Sequence, residues 1–417
     1  MTFPEILRGI SVLLGLLVSL CYAYQFFYLF LPLLKQRQME QRPVYHRYAV
    51  LIAARNEAAV LPFLLDSLRN QDYPAELYQV FVVADNCTDR TAVVAEEGGA
   101  VVFRRHNSQK VGKGYALHFL LDQIDRTCGL DSFDAFLVFD ADNLLKCNYI
   151  SQINRTCSQG YDVFCGYRNT KNFGSSWVSM GHALWYIHES VHLNRSRMLL
   201  GNPCMVNGTG FGFTRDLLKK CGGWHFFTLT EDIEFSTWCI THGIRCGYCH
   251  EAMVYDEQPV RFSQSWRQRT RWVQGGIQVS VRYGAQLLLG IVRGGPGWYP
   301  CLEATTLSLW GYGLGLISGL LAFWAALLSA GWLGLGKTLL LSLVSAVLIP
   351  LLIGGMTLAT EWRSIRATTA QKFISLLVFP LHVLSYLPIA VTALFRKFSW
   401  PPIEHTAACS IHEMQES

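Results

Sequence analysis

The stretch Ala-Phe-Leu-Val-Phe-Asp-Ala-Asp, residues 135–142, decides the fold. It begins with five apolar residues, a length typical of a strand, and it ends with two carboxylates. A continuous apolar run predicts a strand that is buried on both faces, as in a parallel sheet covered by helices. Ligands bind such sheets beyond the carboxyl ends of the strands, so Asp140 and Asp142 are candidate ligand-binding residues.

Similar apolar runs precede this stretch. Residues 48–54, 79–84 and 100–103 have the composition of strands, and helical patterns separate them. This alternation predicts an α/β fold with a mostly parallel, doubly wound sheet. Asp85 follows the second run, so we expect it to meet Asp140 and Asp142 in one crevice at the carboxyl edge.

Asp140 and Asp142 also form a candidate metal site. Only one small residue separates the two carboxylates, which repel each other unless a divalent cation neutralises them. Hard oxygen ligands favour Mg²⁺ or Mn²⁺, with substrate phosphates completing the coordination. The strand-end position and the nearby Asp85 strengthen this prediction.

The composition indicates a membrane protein. Charged residues make up 16% of the chain, against about 25% in soluble proteins. Four uncharged runs are each long enough to cross a bilayer core, which takes about 20 apolar residues. These runs are residues 9–34, 304–336, 338–360 and 373–395. We therefore expect about four transmembrane helices, one before and three after a soluble part.

The charges beside these runs predict the orientation. Four basic residues and one acid follow the first run: Lys35, Arg37, Arg42, Arg47 and Glu40. This bias places the soluble part in the cytoplasm of a multi-pass plasma-membrane protein. Four spans would leave the C-terminus outside, whereas Arg396 and Lys397 favour the inside, so the span count stays open by one. The net charge of +5 sits mostly beside the spans, which favours lipid contact over nucleic-acid binding.

Three later segments have helical patterns. Residues 177–193 read as an amphipathic helix. Thr230 is a candidate N-cap, followed by carboxylates at Glu231 and Asp232 in the first helical turn. Residues 263–281 combine tryptophans with arginines, a composition that suits a helix lying along the cytoplasmic membrane surface.

Four motifs together resemble a known family. Asp85, Asp140-Ala141-Asp142, Thr230-Glu231-Asp232 and Gln268-x-x-Arg271-Trp272 occur in the order found in membrane-integrated family 2 glycosyltransferases. The chain is similar to cellulose, hyaluronan, chitin and poly-N-acetylglucosamine synthases, and more distantly to ceramide glucosyltransferases. The resemblance covers residues 48–276 and implies a GT-A fold, a Rossmann-like sheet set on a membrane bundle.

The resemblance also implies residue roles. Asp232 would be the catalytic base, and Asp140 and Asp142 would hold Mg²⁺ or Mn²⁺ on the donor diphosphate. The donor-binding residues would be Asp85, Lys113, Asp140, Gln268, Arg271 and Trp272. The acceptor side would comprise Glu231, Asn207, Gly208 and Trp272. Ala84 stands where the synthases usually have a second acid, and the 207–209 loop differs from the cellulose-synthase form, which argues against cellulose as the product.

The implied activity is inverting transfer from a nucleotide-diphosphate sugar, with UDP-linked N-acetylglucosamine or glucose expected, to a growing glycan at the membrane. Single transfer to a lipid is the alternative. A transporter is disfavoured because the four runs carry no charge, and a catalytically inactive binding module because every required acid is present. A homodimer or an accessory export subunit could complete a channel.

The expected organisation follows the motifs and the apolar runs. We expect an N-terminal transmembrane anchor (1–34), a GT-A domain (35–262), an interfacial helix region (263–303), C-terminal transmembrane helices (304–395) and a tail (396–417).

Overall fold

The computed structural model describes residues 2–34, 43–295, 297–306, 309–395 and 411. Most of the expected tail lies outside the described residues. So do Lys35, Arg37, Glu40 and Arg42, and the C-terminal pair Arg396 and Lys397, on which the orientation depends.

The part of the chain between the first and the later apolar helices is built on one sheet, which has eight strands among the described residues. The strands are β1 (Tyr48–Ala54), β2 (Tyr78–Asp85), β3 (Val101–Arg105), β4 (Ala135–Asp140), β5 (Leu144–Leu145), β6 (Val163–Thr170), β7 (Phe211–Thr214) and β8 (Cys246–Asp256). Their spatial order is β3-β2-β1-β4-β7-β6-β8-β5.

The helices of the described residues surround this sheet and extend from it. They are α1 (Phe3–Tyr28), α2 (Leu61–Arg69), α3 (Thr91–Glu97), α4 (Lys113–Cys128), α5 (Tyr149–Ser158), α6 (Trp177–His188), α7 (Arg195–Leu199), α8 (Arg215–Lys220), α9 (Glu231–Thr241), α10 (Phe262–Arg293), α11 (Trp298–Thr306), α12 (Leu309–Glu361), α13 (Thr369–Leu384) and α14 (Tyr386–Phe395). A π-helical segment, Glu189–Asn194, joins α6 to α7 where the sequence predicts one continuous helix.

The first half of the sheet is parallel, as predicted. β1 pairs in parallel with β2 and β4, and β2 pairs in parallel with β3. The second half is mixed, because β7 runs antiparallel to both β4 and β6, and β5 runs antiparallel to β8. Residues 135–139 of β4 are fully buried, since helices cover both faces of the sheet at this strand.

Three helical stretches of the described residues are long and apolar enough to cross a membrane: Phe3–Leu33, Gly313–Glu361 and Thr369–Phe395. The prediction of four spans is therefore not confirmed. The sequence divides the long C-terminal apolar stretch at the charged Lys337, but the backbone is helical there. The helix α12 is instead interrupted at Gly331, whose φ of 56° is a left-handed conformation open to glycine.

Helix α10 extends beyond the predicted 263–281. It packs against α9, α11 and α14. The large exposed apolar side chains of α10 fall mostly in its second half: Val281, Leu288, Leu289 and Val292. The motif-bearing first half is thus part of the site.

Candidate active site

The carboxyl edge of the sheet brings together residues that are distant in sequence. β1 lies between β2 and β4, and Ala54 pairs with Ala84 while Ala53 pairs with Asp140. Asp85 and Asp140 therefore flank the end of β1, with their backbones about two strand spacings, or ~10 Å, apart. Both carboxylates therefore lie at the same edge of the sheet, as the sequence predicts.

Asp85 is buried and paired with a cation. Arg105, at the end of β3, donates from Nη1 to Asp85 Oδ1 at 2.5 Å, and Asn86 Nδ2 donates to the same oxygen at 3.1 Å. The second arm of Arg105 donates to the carbonyl of Lys110 at 2.5 Å. Arg105 therefore ties the candidate nucleoside-binding acid to the loop that leads into α4.

Lys113 connects two parts of the site. Its Nζ donates to Asp140 Oδ1 at 2.5 Å and to the Gly208 carbonyl at 2.5 Å. Burial alone would lower the pKa of Lys113, but the carboxylates of Asp140 and Glu231 raise it above its ordinary value. Lys113 is thus a largely buried cation between the candidate metal site and the 207–209 loop.

Asp142 and Asp256 form a second acidic group beside Asp140. Asp142 is buried and accepts a hydrogen bond from the Glu257 backbone at 3.2 Å. Asp256 ends β8 and is held by the guanidinium of Arg168, by Asn143 Nδ2 at 3.2 Å and by Gln258 Nε2 at 3.1 Å. Burial raises the pKa of Asp256 to about 6; Arg168 opposes this shift and the charges of Asp142 and Asp140 add to it.

This crowding of carboxylates fits a divalent cation. Negative charge accumulates at Asp140, Asp142 and Asp256, and the oxygen ligands are those that Mg²⁺ and Mn²⁺ prefer. Among the described residues, no three His, Cys, Asp or Glu side chains are placed to hold an ion together. Asp140 and Asp142 alone would leave most of the coordination shell to donor phosphates and water.

Glu231 and Asp232 lie in the first turn of α9, as the sequence predicts. Burial, together with the charge of Asp232, raises the pKa of Glu231 to about 7. Burial also raises the pKa of Asp232. The backbone of Gly208, at a φ of 77°, lies against Asp232, because a Cβ there would be 3.5 Å from Asp232 Oδ2.

The first half of α10 covers this turn. Arg271 Nη1 donates to the Leu229 carbonyl at 2.8 Å. A Cβ on Gly275 would lie 2.4 Å from Thr230 Oγ1, so the two segments are in close contact. Thr230 occupies the predicted N-cap position, but its side chain makes no capping hydrogen bond.

The other two motif residues of α10 differ in their surroundings. Gln268 Oε1 is buried with no hydrogen-bond partner in the described part of the chain. The ring of Trp272 packs edge-on against two side chains of α6, His182 at 5.7 Å and Tyr186 at 6.1 Å between centroids. The Trp272 ring therefore faces α6.

Sequence reasoning missed three charged residues of this site. Arg105 and Asp256 each end a strand at the carboxyl edge, which is the signal that identified Asp85 and Asp140. Arg168 gives no such signal. It lies within β6, donates to the Asn207 carbonyl at 2.7 Å and places its guanidinium 3.7 Å from the Tyr186 ring centroid.

Comparison with known proteins identifies the family. A family model described as glycosyltransferase-like family 2 matches residues 46–275. A beta-monoglucosyldiacylglycerol synthase from Synechocystis sp. is 27% identical over 57% of this chain and 50% of its own length. A poly-beta-1,6-N-acetyl-D-glucosamine synthase from Staphylococcus epidermidis is 24% identical over 56% of this chain and 55% of its own. The chain thus spans about half the length of these curated relatives.

A solved structure shares the fold. The mannosyltransferase PcManGT from Pyrobaculum calidifontis, in complex with GDP-Man and Mn²⁺, aligns with a TM-score of 0.60 and 18% identity. The alignment covers 93% of this chain and 99% of the mannosyltransferase chain. The family match runs from the residues just before β1 into α10 and so contains every candidate site residue. Because that match covers more than half of the sequence, the chain belongs to glycosyltransferase-like family 2, with a GT-A-like mixed sheet.

Proposed function

We propose that this protein is an inverting glycosyltransferase that moves a sugar from a nucleotide-diphosphate sugar to a glycan acceptor at the membrane. One observation carries the proposal. Lys113 bridges Asp140 and the Gly208 carbonyl, and Gly208 in turn lies against Asp232. The candidate diphosphate site and the candidate base are therefore joined through one largely buried cation and one loop.

Donor binding is assigned to the carboxyl edge of the sheet. Asp85, which Arg105 holds in position, would bind the nucleoside of the donor. The proposed donor is UDP-linked N-acetylglucosamine or UDP-linked glucose. Asp140 and Asp142 would hold Mg²⁺ or Mn²⁺, which when bound neutralises charge on the diphosphate. Lys113 and Arg271 both lie near Glu231 and Asp232 and would orient the donor, and Gln268 is proposed as a further donor-binding residue.

Asp232 is assigned as the base. It would take the proton of the acceptor hydroxyl while that oxygen bonds to the sugar's anomeric carbon and the bond to the diphosphate breaks. A raised pKa brings a carboxylate closer to the operating pH, where a general base is most effective. Glu231, Asn207, Gly208 and Trp272 are proposed on the acceptor side.

The membrane setting is part of the proposal. Three helical stretches of the described residues are apolar enough to span a bilayer, and the exposed apolar side chains of α10 suit the interface. The soluble part would face the cytoplasm at the plasma membrane. A lipid acceptor is the second candidate, favoured by the similarity to a beta-monoglucosyldiacylglycerol synthase.

A substrate panel tests the proposal. The full chain in detergent would receive UDP- and GDP-sugars with Mn²⁺ and three acceptors: N-acetylglucosamine oligomers, dioleoylglycerol and glucosyl-dioleoylglycerol. Mass spectrometry should detect one or more added sugars. Asp140→Asn should abolish transfer, and Asp216→Asn, at a carboxylate whose side chain is 81% exposed, is the control. Absence of transfer from every donor to every acceptor would overturn the proposal.

A further inference from the structure

One face of α6 contacts Trp272, which is proposed to lie on the acceptor side of the site. His182, Tyr186 and Glu189 are spaced i, i+4 and i+7, so they share a helix face. The first two contact the Trp272 ring. The Glu189 backbone N–H still bonds to the Trp185 carbonyl, as in an α-helix, so Glu189 continues the same face.

Hydrogen bonds hold the segment that begins at Glu189 in position. It is π-helical, a conformation that occurs mostly as single turns inside α-helices and frequently at functional sites. Ser190 Oγ accepts from the Arg168 backbone at 3.1 Å. Asn194 exchanges two hydrogen bonds with the Met205 backbone, at 2.9 and 3.0 Å, two residues before Asn207. The segment is thus anchored to β6 and to Met205, just before the 207–209 loop.

The Glu189 carboxylate has no bonding partner within the described part of the protein. Half-buried, it makes no hydrogen bond or ion pair with any residue that the structure describes. Two cations lie near it, but Arg168 is paired with Asp256, and Arg197 is paired with Glu303 at 2.9 Å. Burial raises the pKa of Glu189 to about 7; Arg197 and Arg168 oppose this shift and Asp232 adds to it, which is consistent with a carboxyl near the proposed base.

We propose that Glu189 binds a second hydroxyl of the acceptor, beside the hydroxyl that Asp232 deprotonates. A carboxylate without a protein partner, on the helix face that contacts Trp272, suits a hydrogen-bond donor from the substrate. The acceptor is then a polyol, such as a sugar residue, and not a lipid with a single hydroxyl. This inference rests on the proposed function and names the acceptor class for that site.

Steady-state kinetics on Glu189→Ala and Glu189→Gln test the inference, with the acceptor on which the wild type acts in the panel above. A hydrogen bond to a charged group predicts an increase in acceptor KM of about tenfold or more for Glu189→Ala. Glu189→Gln should show a smaller increase. Donor KM and the rate of donor hydrolysis should be unchanged in both. Glu97→Gln, at a carboxylate whose side chain is 65% exposed, is the matched control.

The outcomes separate the inference from the proposed function. Unchanged acceptor KM in the variants of an active enzyme would overturn the role of Glu189 alone, as would a wild type that uses only dioleoylglycerol. An equal rise in donor and acceptor KM would indicate a general distortion and would also overturn it. If Glu189→Ala does not fold, the acceptor KM of Glu189→Gln decides. A wild type that transfers no sugar would instead refute the proposed function.

Discussion

Replacing Gly275 by alanine should displace α10 from the turn that carries Asp232. The new Cβ would lie 2.4 Å from Thr230 Oγ1, 2.6 Å from Thr230 Cγ2 and 2.8 Å from the Thr230 backbone N. Rotation of the threonine side chain relieves at most one of the first two contacts, because only one of the three positions on its Cβ holds a hydrogen. The contact with the backbone remains, so either α10 or the start of α9 must move.

The size of the effect follows from two opposing terms. Overpacking a tight contact costs about 1–3 kcal/mol. Removing a glycine from the interior of a helix contributes about 0.5–1 kcal/mol of stability. The net loss should be about 1 kcal/mol, which lowers the unfolding temperature. Transfer should suffer more, because a misplacement of about 1 Å at a reacting centre can cost about 100-fold in rate.

Gly276 provides a matched control one position along the same helix. A Cβ there meets no heavy atom within 4 Å. Gly276→Ala should therefore leave the transfer rate unchanged and raise the unfolding temperature. Both variants are measured in detergent by thermal unfolding and by initial transfer rate. A Gly275→Ala enzyme that is as active and as stable as Gly276→Ala would refute the close packing of α10 on the Thr230 turn.

Three further predictions concern the chemistry. Asp232→Asn should lower kcat by about 10²–10⁴-fold and leave donor affinity intact, whereas a collapse in donor affinity would make Asp232 a binding residue. Burial raises the pKa of Asp232, so the wild-type enzyme should lose activity on acidification at a higher pH than an enzyme whose base is an exposed aspartate. A chelator should abolish turnover and added Mn²⁺ or Mg²⁺ should restore it, and full activity in excess chelator would contradict the metal assignment to Asp140 and Asp142. Trp272→Ala should reduce transfer more than donor hydrolysis, and an equal fall in both rates would exclude an acceptor-side role for the ring.

The sequence alone predicted the parallel half of the sheet and the residues at its carboxyl edge. Apolar runs and the acids that follow them are local signals, so β1, β2 and β4 and the positions of Asp85 and Asp140 could be read directly. The first turn of α9 was also predicted from a local signal, the candidate N-cap Thr230 followed by Glu231 and Asp232. Helix α6 was only partly predicted, because nothing in its sequence marks the change to π-helix at Glu189.

The contacts between these elements were decided by the tertiary structure. Lys113 meets Asp140 because β1 brings α4 and β4 together, and Gly208 meets Asp232 only once β7 and α9 have packed. Arg168 lies within a strand with no motif around it, yet it links Asp256, Asn207 and Tyr186. The break at Gly331 was also not predicted, because the sequence shows the charge of the nearby Lys337 but not the backbone conformation. Local patterns determine which elements form, but pairing between distant segments determines which side chains meet.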